Sequence, residues 1–388
     1  MARDAFQLDL TVTTPVEEES FASFDSIDDA FNALDLDNLS DISEAYTETS
    51  VATAVLDVRG LPTIAAFEDA GTDLRFTVPA IGFERVFTGA TRDDSVDALR
   101  DFLERNGDGL LTDILRALVA TTPVDPVAGN PNSLMARVGA MNFGQGTELG
   151  GRGSFEDGPE PAGNSFRIGA RFGRYSAGDF TQESYSLPLG YTYRFADPRY
   201  QLKLDLPITF INTSGARTLE GSFGVAVRLP VLEGWTLTPG LRIGGVGSID
   251  LASAALVPSG SITSNYNFRL ADLKITIGNG FSYFQTESIS VDDYETEYDL
   301  RNYMIKNGIG VEGDTGIMLF GERLTWSATA AHTQFFGDEL FIDSYVDLAA
   351  AVGIDAIDGW NDLQVGVTYQ RAIGEDYNAF MANVGYEF

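Results

Sequence analysis

The chain has 388 residues, 44% of them hydrophobic, with no cysteine and a single histidine, His332. That excludes a disulfide framework and thiolate metal sites, and no apolar run reaches the roughly 18 residues of a membrane helix. A formal net charge of −32, from 57 acidic and 25 basic residues, argues against nucleic acid as a partner.

The first residues, Met1 to Phe6, show no apolar signal-peptide core, so the sequence reads as trimmed to a mature form. Residues 1–50 are acidic and rich in Ser, Thr and Asp, which predicts a flexible, loosely ordered leader with weak helical periodicity in Phe24–Leu39. Residues 51–163 read as a small segment lying in the periplasm or plugging a lumen. Short β-like runs at Ala52–Val58, Leu74–Val78 and Gly82–Phe87 are followed by two helices within residues 93–120. The run Glu104 to Gly109 resembles a calcium-loop start. Position twelve is Leu115 where the bidentate Glu belongs, so a helix-breaking turn is expected and no metal. From Pro123 to Gly163, clustered Gly, Pro and Asn predict a linker.

Residues 164–388 repeat an alternation of large apolar with small or polar residues. It predicts twelve strands, at about 164–175, 182–196, 200–213, 218–231, 235–247, 257–270, 272–286, 299–312, 316–333, 339–354, 360–371 and 376–388. Tyr185, Leu187, Leu189, Tyr191, Tyr193 and Phe195 alternate with Ser184, Ser186, Pro188, Gly190, Thr192 and Arg194. Many such faces would overfill a closed barrel if they pointed inward. The large side chains must therefore face outward, into oil. The fold class is all-β: a transmembrane antiparallel barrel with an N-terminal mixed α/β extension and outer-membrane lipid around it. Short links such as Ala196–Arg199 and Leu232–Gly234, with Phe195, Tyr200, Trp235, Trp360 and Phe388 beside them, mark the periplasmic rim.

Strand parity points ten basic residues into the lumen: Arg167, Arg171, Arg194, Lys203, Arg228, Arg242, Arg269, Lys274, Lys306 and Arg323. Asp205, Glu220, Glu312, Asp343 and Asp347 share that face. A satisfied internal charge network is expected, because charges away from bulk water need partners. A basic lumen could also hold the acidic N-terminal part or favour anions. His332 falls on the lipid side near the outer rim. With no nucleophile elbow or cofactor loop, no catalytic residue, cofactor or metal is assigned, and an outer-membrane hydrolase is disfavoured.

The last strand, Phe380 to Phe388, alternates and stops on an aromatic residue. It resembles the C-terminal strand of bacterial outer-membrane barrels. By that resemblance Val384, Tyr386 and Phe388 form the signal read by the barrel-assembly machinery. The layout as a whole is similar to the autotransporter translocator: N-terminal part, helices and linker, then twelve strands ending in an aromatic. The resemblance covers roughly residues 93–388. Residues 1–90 are far shorter than a usual passenger and lack β-helix repeats, which implies a solitary, passenger-poor, non-enzymatic barrel. A porin for small solutes is the alternative, and the oligomeric state is open.

Overall fold

The computed structural model describes residues 3–14, 16–34, 36–105, 109–147, 149, 163–291, 294–319, 321–355 and 362–388. The acidic N-terminal stretch hides a strand. Phe6, Leu8, Leu10 and Val12 alternate with polar residues, and all four are sealed on one face of β1 (Phe6–Val12). With β2 (Glu18–Phe24), β3 (Ala52–Val58), β4 (Leu61–Phe67), β5 (Asp73–Val78) and β6 (Phe83–Thr88), it builds an antiparallel sheet in the order β2-β1-β3-β4-β5-β6. Helices α1 (Ile27–Leu34) and α2 (Leu36–Ile42) lie between β2 and β3 in the chain. The leader expected to be loosely ordered is therefore part of a packed sheet, because burial of one alternating face outweighs its polar composition.

Helix α3 (Arg92–Glu104) starts at a capping box in which Thr91 and Asp94 satisfy each other's backbone N–H. It lays Phe102 on the sheet, 6.3 Å from Phe83 and 5.5 Å from Phe87 between ring centroids. Helix α4 (Leu110–Thr121) follows, and its Leu110, Ile114, Leu115, Leu118 and Val119 are buried. The turn expected between the two helices includes Asn106, Gly107 and Asp108, which lie outside the described residues. The stretch expected to be a linker contains a further helix, α5 (Leu134–Gly146).

The wall begins with β7 (Ser165–Ala177). Pro188 divides the next strand into β8 (Phe180–Leu187) and β9 (Leu189–Arg194), and the one after it splits at Pro207 into β10 (Gln201–Asp205) and β11 (Ile208–Thr213). Proline cannot donate to the ladder, so the pairing is interrupted at neighbouring places in adjacent strands. β12 (Ala216–Leu232), β13 (Trp235–Ser248), β14 (Ser253–Leu270) and β15 (Leu273–Gln285) continue the meander. A small hairpin, β16 (Ile289–Val291) with β17 (Tyr294–Thr296), occupies the acidic loop. β18 (Arg301–Leu319), β19 (Glu322–Gly337), β20 (Ser344–Asp355), β21 (Asp362–Ala372) and β22 (Tyr377–Glu387) complete it. β22 pairs with β7 from Tyr377↔Ala177 to Glu387↔Arg167. With each proline-split pair counted once, twelve antiparallel wall strands close on themselves.

The large side chains do look outward. Leu241 is 72% exposed, Phe172 53% and Phe210 41%, while Thr218, Thr238, Thr263 and Asn302 on the inner face are buried. No described helix is long and apolar enough to cross a membrane. A closed sheet with a greasy exterior and a polar interior is an outer-membrane-type barrel, since closure leaves no unpaired strand edge in hydrocarbon. Phe195, Tyr200 and Phe388 are exposed at the end with the short turns, and Trp235 is half-buried there. Trp360 lies outside the described residues.

Candidate functional site: the barrel lumen and the helix inside it

Residues 122–136 are buried without a break. Such a segment must satisfy its own backbone, and Asp125 is the centre of that arrangement. Its Oδ1 accepts from Val127 N at 2.9 Å and Ala128 N at 3.3 Å, and Asn130 Nδ2 donates to its carbonyl at 2.7 Å. Leu134 N and Met135 N then bond back to Pro126 O and Val127 O. This compact turn delivers α5 into the lumen. Nine of the helix's thirteen residues are buried, including Ala136, Val138, Asn142 and Gln145, so it presents no solvent face.

The wall is shaped around this helix. A methyl group added at Gly280 would stand 2.8 Å from Phe143 Cδ2, and one added at Gly139 would stand 2.5 Å from Met304 Sδ. The glycines allow helix and sheet to approach closely. Beside them runs a polar seam. Arg137 forms an ion pair with Glu220 and donates to Ser186 Oγ at 2.5 Å and Thr209 Oγ1 at 2.6 Å. Asn142 accepts from Arg242 Nε at 2.9 Å and donates to Ser259 Oγ at 3.1 Å. Gln145 donates to Lys203 O at 3.0 Å, and Lys203 Nζ returns a bond to Gln145 O at 3.2 Å. Between α5 and the wall at Pro207, Thr209, Glu220 and Ser222, the free volume is about 10 Å³, room for about one water.

Of the ten basic residues predicted for the lumen, Lys203 and Arg242 converge on α5, and Arg242 also holds Asp205 at 2.8 Å. Lys274 lies 3.4 Å from Glu312, and Lys306 pairs with Asp347 and donates to Thr333 Oγ1 at 2.9 Å. Arg194 reaches Gly163 O at 3.0 Å near the Phe388 end, and Arg323 sits 3.3 Å from Asp314. Arg228 is buried in the wall, Arg167 and Arg171 are half-buried, and Arg269 is exposed at the short-turn rim. Asp343 is exposed just before β20. Sequence reasoning missed Arg137, Asn142 and Gln145, all on the helix it read as linker. Val384, Tyr386 and Phe388 face outward, with the Phe388 ring 5.4 Å from Phe166 at the seam where the barrel closes. His332 also faces outward, and its Nε2 lies 3.0 Å from Ser344 Oγ. No group of three or more metal-ligating side chains occurs among the described residues.

The N-terminal sheet sits on the barrel end away from Phe388. Arg3 N donates to Asp179 O at 2.9 Å and Ile27 N to Asp250 O at 2.9 Å, both in turns of that rim. Arg116 reaches Asp338 at 2.8 Å. Deeper in, Arg59 meets Asp125 at 3.0 Å, and Tyr298 donates to Ser253 Oγ at 3.0 Å. One hydrophobic cluster runs unbroken from Leu61 and Phe76 through Leu115 and Leu134 to Phe284, Tyr345 and Ala379.

No family model and no curated protein matches the chain. Among solved structures, it is similar to the β-domain of the Bordetella autotransporter BrkA, at 15% identity and a TM-score of 0.46, covering 58% of this chain and 98% of that one. The translocator domain of NalP from Neisseria meningitidis matches at 10% identity and a TM-score of 0.40, over 60% of this chain and 90% of that one. The transport unit of AIDA-I from Escherichia coli matches at 12% identity and a TM-score of 0.39, over 64% and 96%.

Proposed function

We propose that this is an autotransporter-like barrel of the bacterial outer membrane that carries its own small N-terminal domain on the cell surface, tethered through the lumen by α5. The supporting observation is the route of the chain. It leaves the N-terminal sheet at one rim, fills the lumen with α5, and starts β7 beside Phe388 at the other rim. With the short turns and Phe388 on the periplasmic side, as barrels of this kind are oriented, the sheet lies outside the cell. This reading favours surface display over the periplasmic option expected from sequence, with α5 as the lumen plug. The barrel wall and α5 then act as anchor and stalk, with no reaction required of either.

A diffusion pore is the weaker reading, because the helix and its polar partners occupy the passage. The absence of cysteine from the chain makes the test direct. Glu19→Cys on exposed β2 should react with a membrane-impermeant maleimide on intact cells. Labelling only after the outer membrane is permeabilised would place the sheet in the periplasm and overturn the reading.

A further inference from the structure

The lipid-facing belt is interrupted by a row of polar side chains that no part of the proposed display function uses. Across β14, β15, β18 and β19, Ser264, Asn279, Asn307 and His332 are consecutive register partners, all on the outward face. Along their own strands Asn279 lies between Ile277 and Phe281, and Asn307 between Ile305 and Ile309. All four of these neighbours are 37–48% exposed to the outside. Both asparagines are exposed as well. They therefore stand in the greasy belt itself, not at its wet rims.

Their bonding is incomplete. Asn279 Nδ2 donates to Asn307 Oδ1 at 2.7 Å, which leaves the Asn307 amide donors and the Asn279 carbonyl without a partner among the described residues. His332 spends Nε2 on Ser344, and Ser264 accepts from Trp235 Nε1 at 2.9 Å. Hydrocarbon can satisfy none of the remaining groups, so exposing them to lipid tails is costly. Next to the row the relief is low: Ala330 precedes His332 by two residues, and Ala328 and Ala350 face each other in register. Small side chains let a second surface come close, and polar groups then bond across it.

We infer that this face, centred on Asn279 and Asn307, is a contact between two copies of this chain in the membrane. A carboxamide both donates and accepts, so an Asn pair complements its own image. A two-fold axis along the membrane normal also brings together residues of equal depth. The row runs across the strands, which tilt in the bilayer, so it crosses its image at one point. The central asparagines meet there, while Ser264 and His332, already bonded within their own copy, lie to either side.

The experiment uses the full chain, cysteine-free by nature, in lipid vesicles. Asn307→Cys should give an oxidant-dependent covalent dimer. Ile208→Cys, on the outward face of β11 well around the barrel, should give only collisional background. In detergent, the unmodified protein should sediment as a dimer and the Asn279→Leu/Asn307→Leu variant as a monomer. Heat-modifiable gel mobility confirms that each variant is a folded barrel, separately from any association and from where the N-terminal sheet lies. A monomeric unmodified protein, equal cross-linking at the two positions, or cross-linking of residue 307 to a different polypeptide in cells would each overturn the inference.

Discussion

Arg59 Nη1 lies 3.0 Å from Asp125 Oδ2, with side chains only 2% and 0% exposed, at the point where the N-terminal sheet meets the barrel mouth. Arg59 occupies the left-handed region at φ 56°, followed by Gly60 at φ 101°, in the two-residue turn between β3 and β4. The turn spends an uncommon backbone conformation on a non-glycine residue and aims its guanidinium at the carboxylate that shapes the buried 122–136 segment. Asp125→Ala would strand the cation, at a cost of about 3–5 kcal/mol for an uncompensated buried charge. Limited proteolysis of the N-terminal sheet should show it as earlier release.

The same carboxyl predicts a pH response. Burial holds Asp125 above the usual carboxylate range, with Arg59 and the Val127 N–H opposing the shift. A raised carboxyl takes up a proton on folding. Its contribution is full below the unfolded value, about 3.9, and is lost as pH rises through the folded one. Protection of β3 and β4 against hydrogen exchange, compared at matched intrinsic rates, should fall as pH rises from the unfolded value through the folded one. Asp125→Asn should flatten the dependence.

Lumen packing predicts an electrically silent barrel. In planar bilayers the full chain should show no stable conductance steps, and deletion of residues 134–146 should produce them. The exposed lumen would then present Arg171, Lys203, Arg242, Lys274 and Lys306 against Asp205, Glu220, Glu312 and Asp347. Reversal potentials should favour anions; cation preference would count against the lumen assignment.

Gly280 and Phe143 form a close sheet–helix approach that a double-mutant cycle can test. Gly280→Leu should cost about 1–3 kcal/mol by overpacking, and Phe143→Ala in the same chain should recover part of it. Additive losses in membrane refolding would mean that the two residues do not touch.

On the outside, Leu206 is 43% exposed in the break between β10 and β11, about midway along the wall. Leu206→Arg should destabilise the folded barrel by about 2–4 kcal/mol, read from refolding into lipid. A neutral result would contradict the lipid-facing assignment.

The wall was readable because a period of two survives wherever one face meets oil and the other polar groups. Twelve segments could be placed from that alternation, though not the gaps at Pro188 and Pro207, where pairing stops while the apolar pattern carries on. Composition misled at both N-terminal sites. In residues 1–50 the Asp and Ser content masked the regular Phe6, Leu8, Leu10, Val12 spacing. In α5 the sequence Leu-Met-Ala-Arg-Val-Gly-Ala-Met-Asn-Phe-Gly-Gln-Gly has no solvent face, so no amphipathic period announces a helix. Its glycines resemble loop punctuation but serve contact with the wall. Parity brought Lys203 and Arg242 to the face that meets α5, while the helix residues that engage them could not be placed without the third dimension.

The unbroken burial of residues 122–136 governs what becomes of the N-terminal sheet. Proteases cut extended, accessible backbone, and the tether offers none between the end of α4 and the first turn of α5. A cut within this stretch is therefore not expected while the barrel is folded. On the surface-display reading, the sheet meets its surroundings held to the barrel along these fifteen residues.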